Sequence, residues 1–318
     1  MTIVDSSSVK RLLFTTGHFN NPNMPTGITS VEQLADLSLT SDAVRTAIAS
    51  YQDFMAEDFQ RLSKSIHNRE GVADGLIGPA TEKLFQVDRC KCPDYELAID
   101  GSVAEAGSGS WPSGCHSKYP NNHAFAIWFD KSRMPSWWKP VFDECFTRVK
   151  AAYRNIGIVF FETKDKDRAN TVVTWERGRG WIGLAIVPSN PRCGQRIWAK
   201  FDTRYRPSSL VDRLSTLLAH EWGHNMGLRH TRGGVMNPSI SSKPFGNEQW
   251  QGDPSFRTLK RWFGGEPVPG GDDTPPSPPT PPDNPPGNGA GVVITGTVEV
   301  HQDGKSLGEF ILMPKPRV

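Results

Sequence analysis

Nowhere in the chain do roughly 18 apolar residues run together, so no membrane-spanning helix is expected. Met1 to Lys10 also lack the apolar stretch after a basic start that marks a secretory signal, so no export signal is expected there. Charge of one sign is missing as well: 36 Lys and Arg stand against 34 Asp and Glu, a formal net charge of +2. Nothing in that balance points to nucleic acid or to an anionic membrane as partner. Cysteine is scarce and odd in number, so of Cys90, Cys92, Cys115, Cys145 and Cys193 at least one is free, metal-bound or paired between chains. That leaves the redox compartment open. What remains is an ordinary globular composition, 36% apolar and 22% charged. At 318 residues the chain can bury one sizeable core and a smaller module.

From Asp42 to Leu62 the apolar residues Val44, Ile48, Tyr51, Phe54, Met55, Phe59 and Leu62 recur at three- and four-residue steps, which predicts one amphipathic helix. The turn Asp74-Gly75-Leu76-Ile77-Gly78-Pro79-Ala80-Thr81 leads into a short helix through Leu84 and Phe85, with proline in its first turn. Gly101 to Gly114 is dominated by small residues and reads as an exposed, cleavable linker. Strands are expected at Ala124 to Phe129, Ile158 to Phe161, Thr171 to Trp175, Trp181 to Val187 and Arg196 to Phe201. Between the first two, Val141, Phe142, Cys145, Phe146, Val149, Tyr153 and Ile156 mark a helix that Gly157 ends. A long helix begins near Ser208 or Ser209, either of which can cap it, and another spans Pro254 to Phe263. The fold class is therefore mixed α/β. Residues 267–291 are so rich in proline that they form an extended spacer. Residues 292–318 hold two strand-like runs around Gln302-Asp303-Gly304-Lys305, a hairpin that is marginal alone.

The long helix ends in His220-Glu221-Trp222-Gly223-His224-Asn225-Met226-Gly227-Leu228-Arg229-His230. Histidines four apart lie on one helical face, so His220 and His224 can reach a single ion. Gly227 can adopt the left-handed conformation that ends a helix, which brings His230 back as a third ligand. Three neutral imidazoles and one open position describe a catalytic zinc site rather than a structural one. Glu221, beside the first ligand, is placed to take a proton from an attacking water. Helix-surface histidines would share this register with Glu and Gly only by a joint coincidence.

These residues match every fixed position of HExxHxxGxxH, and the chain here resembles the metzincin zinc peptidases. Gly234-Val235-Met236-Asn237-Pro238 looks like their methionine turn, which implies that Met236 floors the site. Within that clan the likeness is to matrixins, the matrix-metalloproteinase group: Thr231 follows the third ligand, and Met236-Asn237-Pro238 resembles their Met-Tyr-Pro. Trp181-Ile182-Gly183-Leu184-Ala185 looks like their substrate-holding edge strand, with Gly183, Leu184 and Ala185 pairing to an extended peptide. The resemblance implies a five-stranded, mixed, twisted sheet with three helices, one catalytic zinc ion, and an extracellular, envelope or virion-associated place of action. Two positions depart from it. Ile186 stands where matrixins carry a histidine for a second zinc, and Ile240 stands near the place of a pocket tyrosine, so neither a second zinc nor a pocket preference is carried over. No motif for structural calcium is visible.

Arg89-Cys90-Lys91-Cys92-Pro93-Asp94 is similar to the matrixin cysteine switch, with Lys91 in place of its glycine. The likeness implies that the Cys90 thiolate takes the open zinc position and that Arg89 and Asp94 brace the loop as an ion pair. The other reading of Cys90 and Cys92 is structural, or disulfide-bonded with Cys115 or Cys193. The helical module before them resembles a peptidoglycan-binding-like prodomain through Asp74-Gly75, Gly78-Pro79-Ala80-Thr81. His18, His67, His116, His123 and His301 show no ligand spacing and read as surface or locally bonded residues.

The expected plan is an extension over 1–38, the module with its switch over 39–100, a linker over 101–114, a catalytic domain over 115–266, a spacer over 267–291 and a terminal hairpin over 292–318. The expected activity is that of a latent zinc endopeptidase acting on extended protein or peptide, with no nucleic-acid partner. Two other classes stay open. The module prompts a hydrolase of peptidoglycan cross-links, and the tether with its hairpin prompts a non-enzymatic attachment protein.

Overall fold

Asp5 opens the first helix, its carboxylate accepting from the Ser8 amide at 2.9 Å and satisfying a donor that the helix start leaves bare. Helix α1 (Ser6–Thr15) buries Val9 and Leu13. The computed structural model describes residues 5–97, 103–105, 124–178, 181–186, 197–240, 252–263, 297–302 and 305–311. It divides into two units, Met1–Thr274 and Pro275–Val318.

The single helix expected over Asp42 to Leu62 is instead two, α2 (Asp42–Phe54) and α3 (Ala56–His67). At the break Met55 has φ −90° and ψ 30°, outside the helical well. The apolar period runs straight across it because both sides stay buried, but in different places. Phe54 turns to Tyr95, whereas Met55 and Phe59 stay in the module core. Helix α4 (Pro79–Leu84) follows with proline in its first turn, as its sequence suggests. Val9, Leu13, Phe19 and Leu34, all from the segment read as an extension, pack in one core with Val44, Ile48, Tyr51 and Leu84. Strands β1 (Tyr95–Leu97) and β2 (Val103–Glu105) then pair antiparallel, Tyr95 opposite Glu105. Part of the stretch read as linker is therefore a strand; 106–114 lie outside the described residues.

The larger layer is built from β3 (Ala124–Phe129), α5 (Lys139–Arg154), β4 (Val159–Glu162), β5 (Thr171–Glu176), β6 (Gly183–Ala185), β7 (Ile197–Asp202), α6 (Leu210–Asn225) and α7 (Pro254–Phe263). Its five strands form one mixed sheet in the order β4-β3-β5-β7-β6, with only β6 antiparallel to its neighbour. Strand β5 alternates buried Thr171, Val173 and Trp175 with half-buried residues, so it is filled from one face more than from the other. The strand expected from Trp181 to Val187 is shorter, because the Ile182 amide bonds outside the sheet, to Arg89 O at 3.1 Å; Val187 lies outside the described residues.

Helices α5 and α6 share the core beside the sheet, joined where the Tyr153 hydroxyl donates to Ala219 O at 2.8 Å. Trp222 sits half a turn from the two histidines of α6 and packs against Phe129, Phe146 and Phe160 with ring centroids 4.7 to 6.3 Å apart. Burying that indole fixes the rotation of α6, and so fixes where His220 and His224 point. The Pro254–Phe263 helix has the bounds its sequence suggests and inserts Phe256 and Leu259 into the same core.

In the second unit β8 (Thr297–Gln302) and β9 (Lys305–Ile311) form an antiparallel hairpin with an irregularity between Val300 and His301. The spacer over 267–291 lies outside the described residues. Among the described residues no helix is long and apolar enough to cross a membrane.

Candidate active site

Helix α6 carries His220, Glu221 and His224 fully buried on its inner face. Gly227 takes φ +94°, and the amide of Leu228 returns to Gly223 O at 2.9 Å, the left-handed ending that glycine makes cheap. The chain doubles back and delivers His230 to the other two. Their Nε2 atoms stand 3.1 Å (His220 to His224), 3.2 Å (His220 to His230) and 3.2 Å (His224 to His230) apart.

The opposite nitrogens decide what those short distances mean. His220 Nδ1 faces Val235 O at 2.7 Å, His224 Nδ1 faces Leu228 O at 2.8 Å, and His230 Nδ1 faces Asp94 Oδ1 at 2.7 Å. Each partner can only accept, so each Nδ1 holds a ring proton and each Nε2 is the nitrogen left to bind a metal ion or a further proton. Three such nitrogens meeting at van der Waals distance repel one another unless a positive charge, a metal ion or a proton, sits among them. The edge of a tetrahedron around zinc with nitrogen at about 2.0–2.1 Å is about 3.4 Å, close to what the rings present. Burial drives His220 well below its ordinary pKa, with His224 and His230 adding to it, and burial lowers His230 as well, so both are neutral as ligation requires. Burial also opposes charge on His224, but its interactions with Cys92 first and Glu221 second raise that ring to about 9, so it is the ring that takes up a proton when no metal ion is bound.

Asp94 is itself held ionised. Burial works to raise it, but the Arg89 guanidinium at 2.7 Å and hydrogen bonds from His18 and His230 hold it well below the usual carboxylate range. Glu221 behaves in the opposite way. Burial, with Cys92 adding, pushes its carboxyl up to about 8, and among the described residues Oε1 has no hydrogen-bond partner. Gly183 lies against that oxygen, so close that any side chain there would collide with it. Met236 is buried with its sulfur against Gly223 of α6, and its carbonyl accepts from the Thr231 amide at 3.0 Å. The same turn supplies Val235 O to His220.

The segment read as a switch lies in this site. Cys90 Sγ is 3.6 Å from His224 Nε2 and 3.8 Å from Glu221 Oε2, and the ligand atoms of Cys90, His220, His224 and His230 all lie within 4.8 Å of one another. The backbone of this segment bonds to both sides of the site: Lys91 donates to Gly183 O of β6 at 3.1 Å, and Cys90 donates to Pro238 O at 2.9 Å. Cys90 and Cys92 are both free and not bonded to each other, and Cys115 and Cys193, the other partners considered, lie outside the described residues. Cys92 packs with its sulfur 3.4 Å from Ala185 O.

His18 is the residue that sequence reasoning missed. It is not a surface or locally bonded histidine: fully buried, it reaches Ser50 Oγ at 2.8 Å through Nδ1 and Asp94 Oδ2 at 2.9 Å through Nε2. No spacing could have flagged it, since Asp94 is 76 positions away. His67 is exposed at the end of α3, and His116 and His123 lie outside the described residues.

Residues 121–253 match the family model described as matrixin. This segment is a matrixin-like metzincin domain. The matrixin-like domain is accordingly a metallopeptidase, and the family implies zinc as its metal and protein or peptide as its substrate. The match begins after the cysteine segment, so the N-terminal module stands outside it.

Proposed function

We propose that this protein is a latent zinc endopeptidase in which His220, His224 and His230 hold the metal, Glu221 is the general base and Cys90 blocks the fourth position. One observation carries the reading: three ring nitrogens, each turned toward the others by an acceptor on the far side of its ring, converge at 3.1 to 3.2 Å. Zinc bound there supplies Lewis acidity, polarising the scissile carbonyl and lowering the pKa of water to about 7. Glu221 receives the water proton at its carboxylate and passes it to the leaving amine, so hydrolysis proceeds without a covalent intermediate. Gly183, Leu184 and Ala185 take the substrate as an added strand; the main-chain bond from Lys91 to Gly183 O supports that use of the edge. Met236 closes the floor, and Gly183 keeps room for the Glu221 carboxylate. Arg89 and Asp94 brace the loop that presents the thiol. Displacing the module by a cut in 101–114 exposes the site.

The test is metal analysis of the full chain, followed by a fluorogenic peptide assay before and after linker cleavage. Zinc near one equivalent and activity only after cleavage are expected. Glu221→Gln should keep the zinc and lose about 100-fold or more of the turnover. Cys90→Ser should give an uncut chain that is already active. Protein free of transition metal, or a Glu221→Gln variant as active as the parent, would end the proposal.

A further inference from the structure

Two of the three acceptors that aim the zinc-site histidines, Val235 O and Leu228 O, lie inside the matrixin-like segment; the third lies outside it. Asp94 belongs to the N-terminal module, 136 positions from the histidine that it orients. An ion pair that only braced the Cys90 loop would need Arg89 and nothing more, yet this carboxylate is fastened on every side. Oδ1 accepts from Arg89 Nη2 at 2.7 Å and from His230 Nδ1 at 2.7 Å, and Oδ2 faces His18 Nε2 at 2.9 Å. The Asp94 amide donates to Thr16 O at 2.9 Å. His18 is fixed in turn by Ser50 Oγ, which accepts from Asn21 Nδ2 at 2.7 Å. The whole array is buried, so the carboxylate cannot turn away from His230.

A carboxylate that accepts the far N–H of a ligating imidazole fixes the ring and makes its free nitrogen a better donor to metal. We propose that Asp94, clamped by Arg89 and His18, is a positioning residue for His230 and raises the zinc affinity of the three-histidine site, so that the N-terminal module helps to load the metal whose access it blocks. This rests on the zinc reading given above.

The experiment titrates zinc into the metal-free full chain against a competing fluorescent chelator at neutral pH, in a Cys90→Ser background that removes the thiol as a ligand. Asp94→Asn keeps the size and an acceptor oxygen but loses the charge, and should weaken zinc binding by roughly 10- to 100-fold. His18→Gln leaves the Arg89–Asp94 pair in place and should cost less, about threefold or more. Cobalt(II) in place of zinc should show a shifted d–d band in both variants, which a merely structural role for Asp94 would not produce. Asp53→Asn, which breaks a separate module contact, Asp53 to Arg232 at 2.7 Å, should leave affinity and spectrum alone. Should Asp94→Asn fail to fold, His18→Gln decides: unchanged affinity and spectrum overturn the proposal. Parental affinity in Asp94→Asn, or an equal loss in Asp53→Asn, overturns it too. A parent chain that binds no zinc refutes instead the metal assignment on which it stands.

Discussion

Glu221 carries an acid held away from water, with one oxygen unpartnered among the described residues, and that has a measurable cost. Its folded pKa of about 8 lies above the ordinary value of 4.5. Between those limits the folded chain keeps a proton that the unfolded chain has released, so stability falls as pH rises through that window. Glu221→Gln removes the penalty. The metal-free latent chain with this change should melt higher than the parent, with a gap that opens above pH 4.5 and levels off near pH 8, and bound zinc should narrow the gap by favouring the carboxylate. Thermal melts across that range check it, and identical melting at every pH would refute it. The residues of this centre were legible because their relation is local: His220 and His224 share a helix face, and Gly227 marks where that face ends. His18 was illegible because its partners, Ser50 and Asp94, are brought to it by packing between segments 32 and 76 positions away.

At the scale of elements, α6 and the turn after it act as one device, and Gly227 is its hinge. An alanine there must hold φ near +94°, which costs a residue with a Cβ about 1–2 kcal/mol. Gly227→Ala should lower the melting temperature and loosen His230, so zinc should be lost to a chelator faster than from the parent. A chelation time course measures this; an unchanged rate would show that the turn does not set the third ligand. Elements with one strong period and a clear stop were read correctly, as Pro254–Phe263 and the α6 end were. Periodicity failed at Met55, where a break in the backbone leaves the burial pattern intact. It failed again over Val103–Glu105, whose strand exists through pairing with Tyr95–Leu97 and not through its own composition.

For the whole molecule, the N-terminal segment matters because α1 is part of the module core. Leu13 is fully buried there, and Leu13→Ala should cost about 2–5 kcal/mol of module stability. Peptide cleavage by the uncut chain should then rise, while the domain released by linker cleavage keeps the parental rate. No rise would mean that module stability does not hold the block. Strand β6 closes one side of the sheet, and in the intact chain its Gly183 carbonyl is taken by the Lys91 amide. Unmasking that row of backbone groups creates a sticky margin, ready to take up a strand from any source, including another copy of the protein. On the proposed latency, activation would bring a colloidal hazard with it. Turbidity should climb after linker cleavage at high protein concentration and subside when an excess of extended peptide occupies the margin.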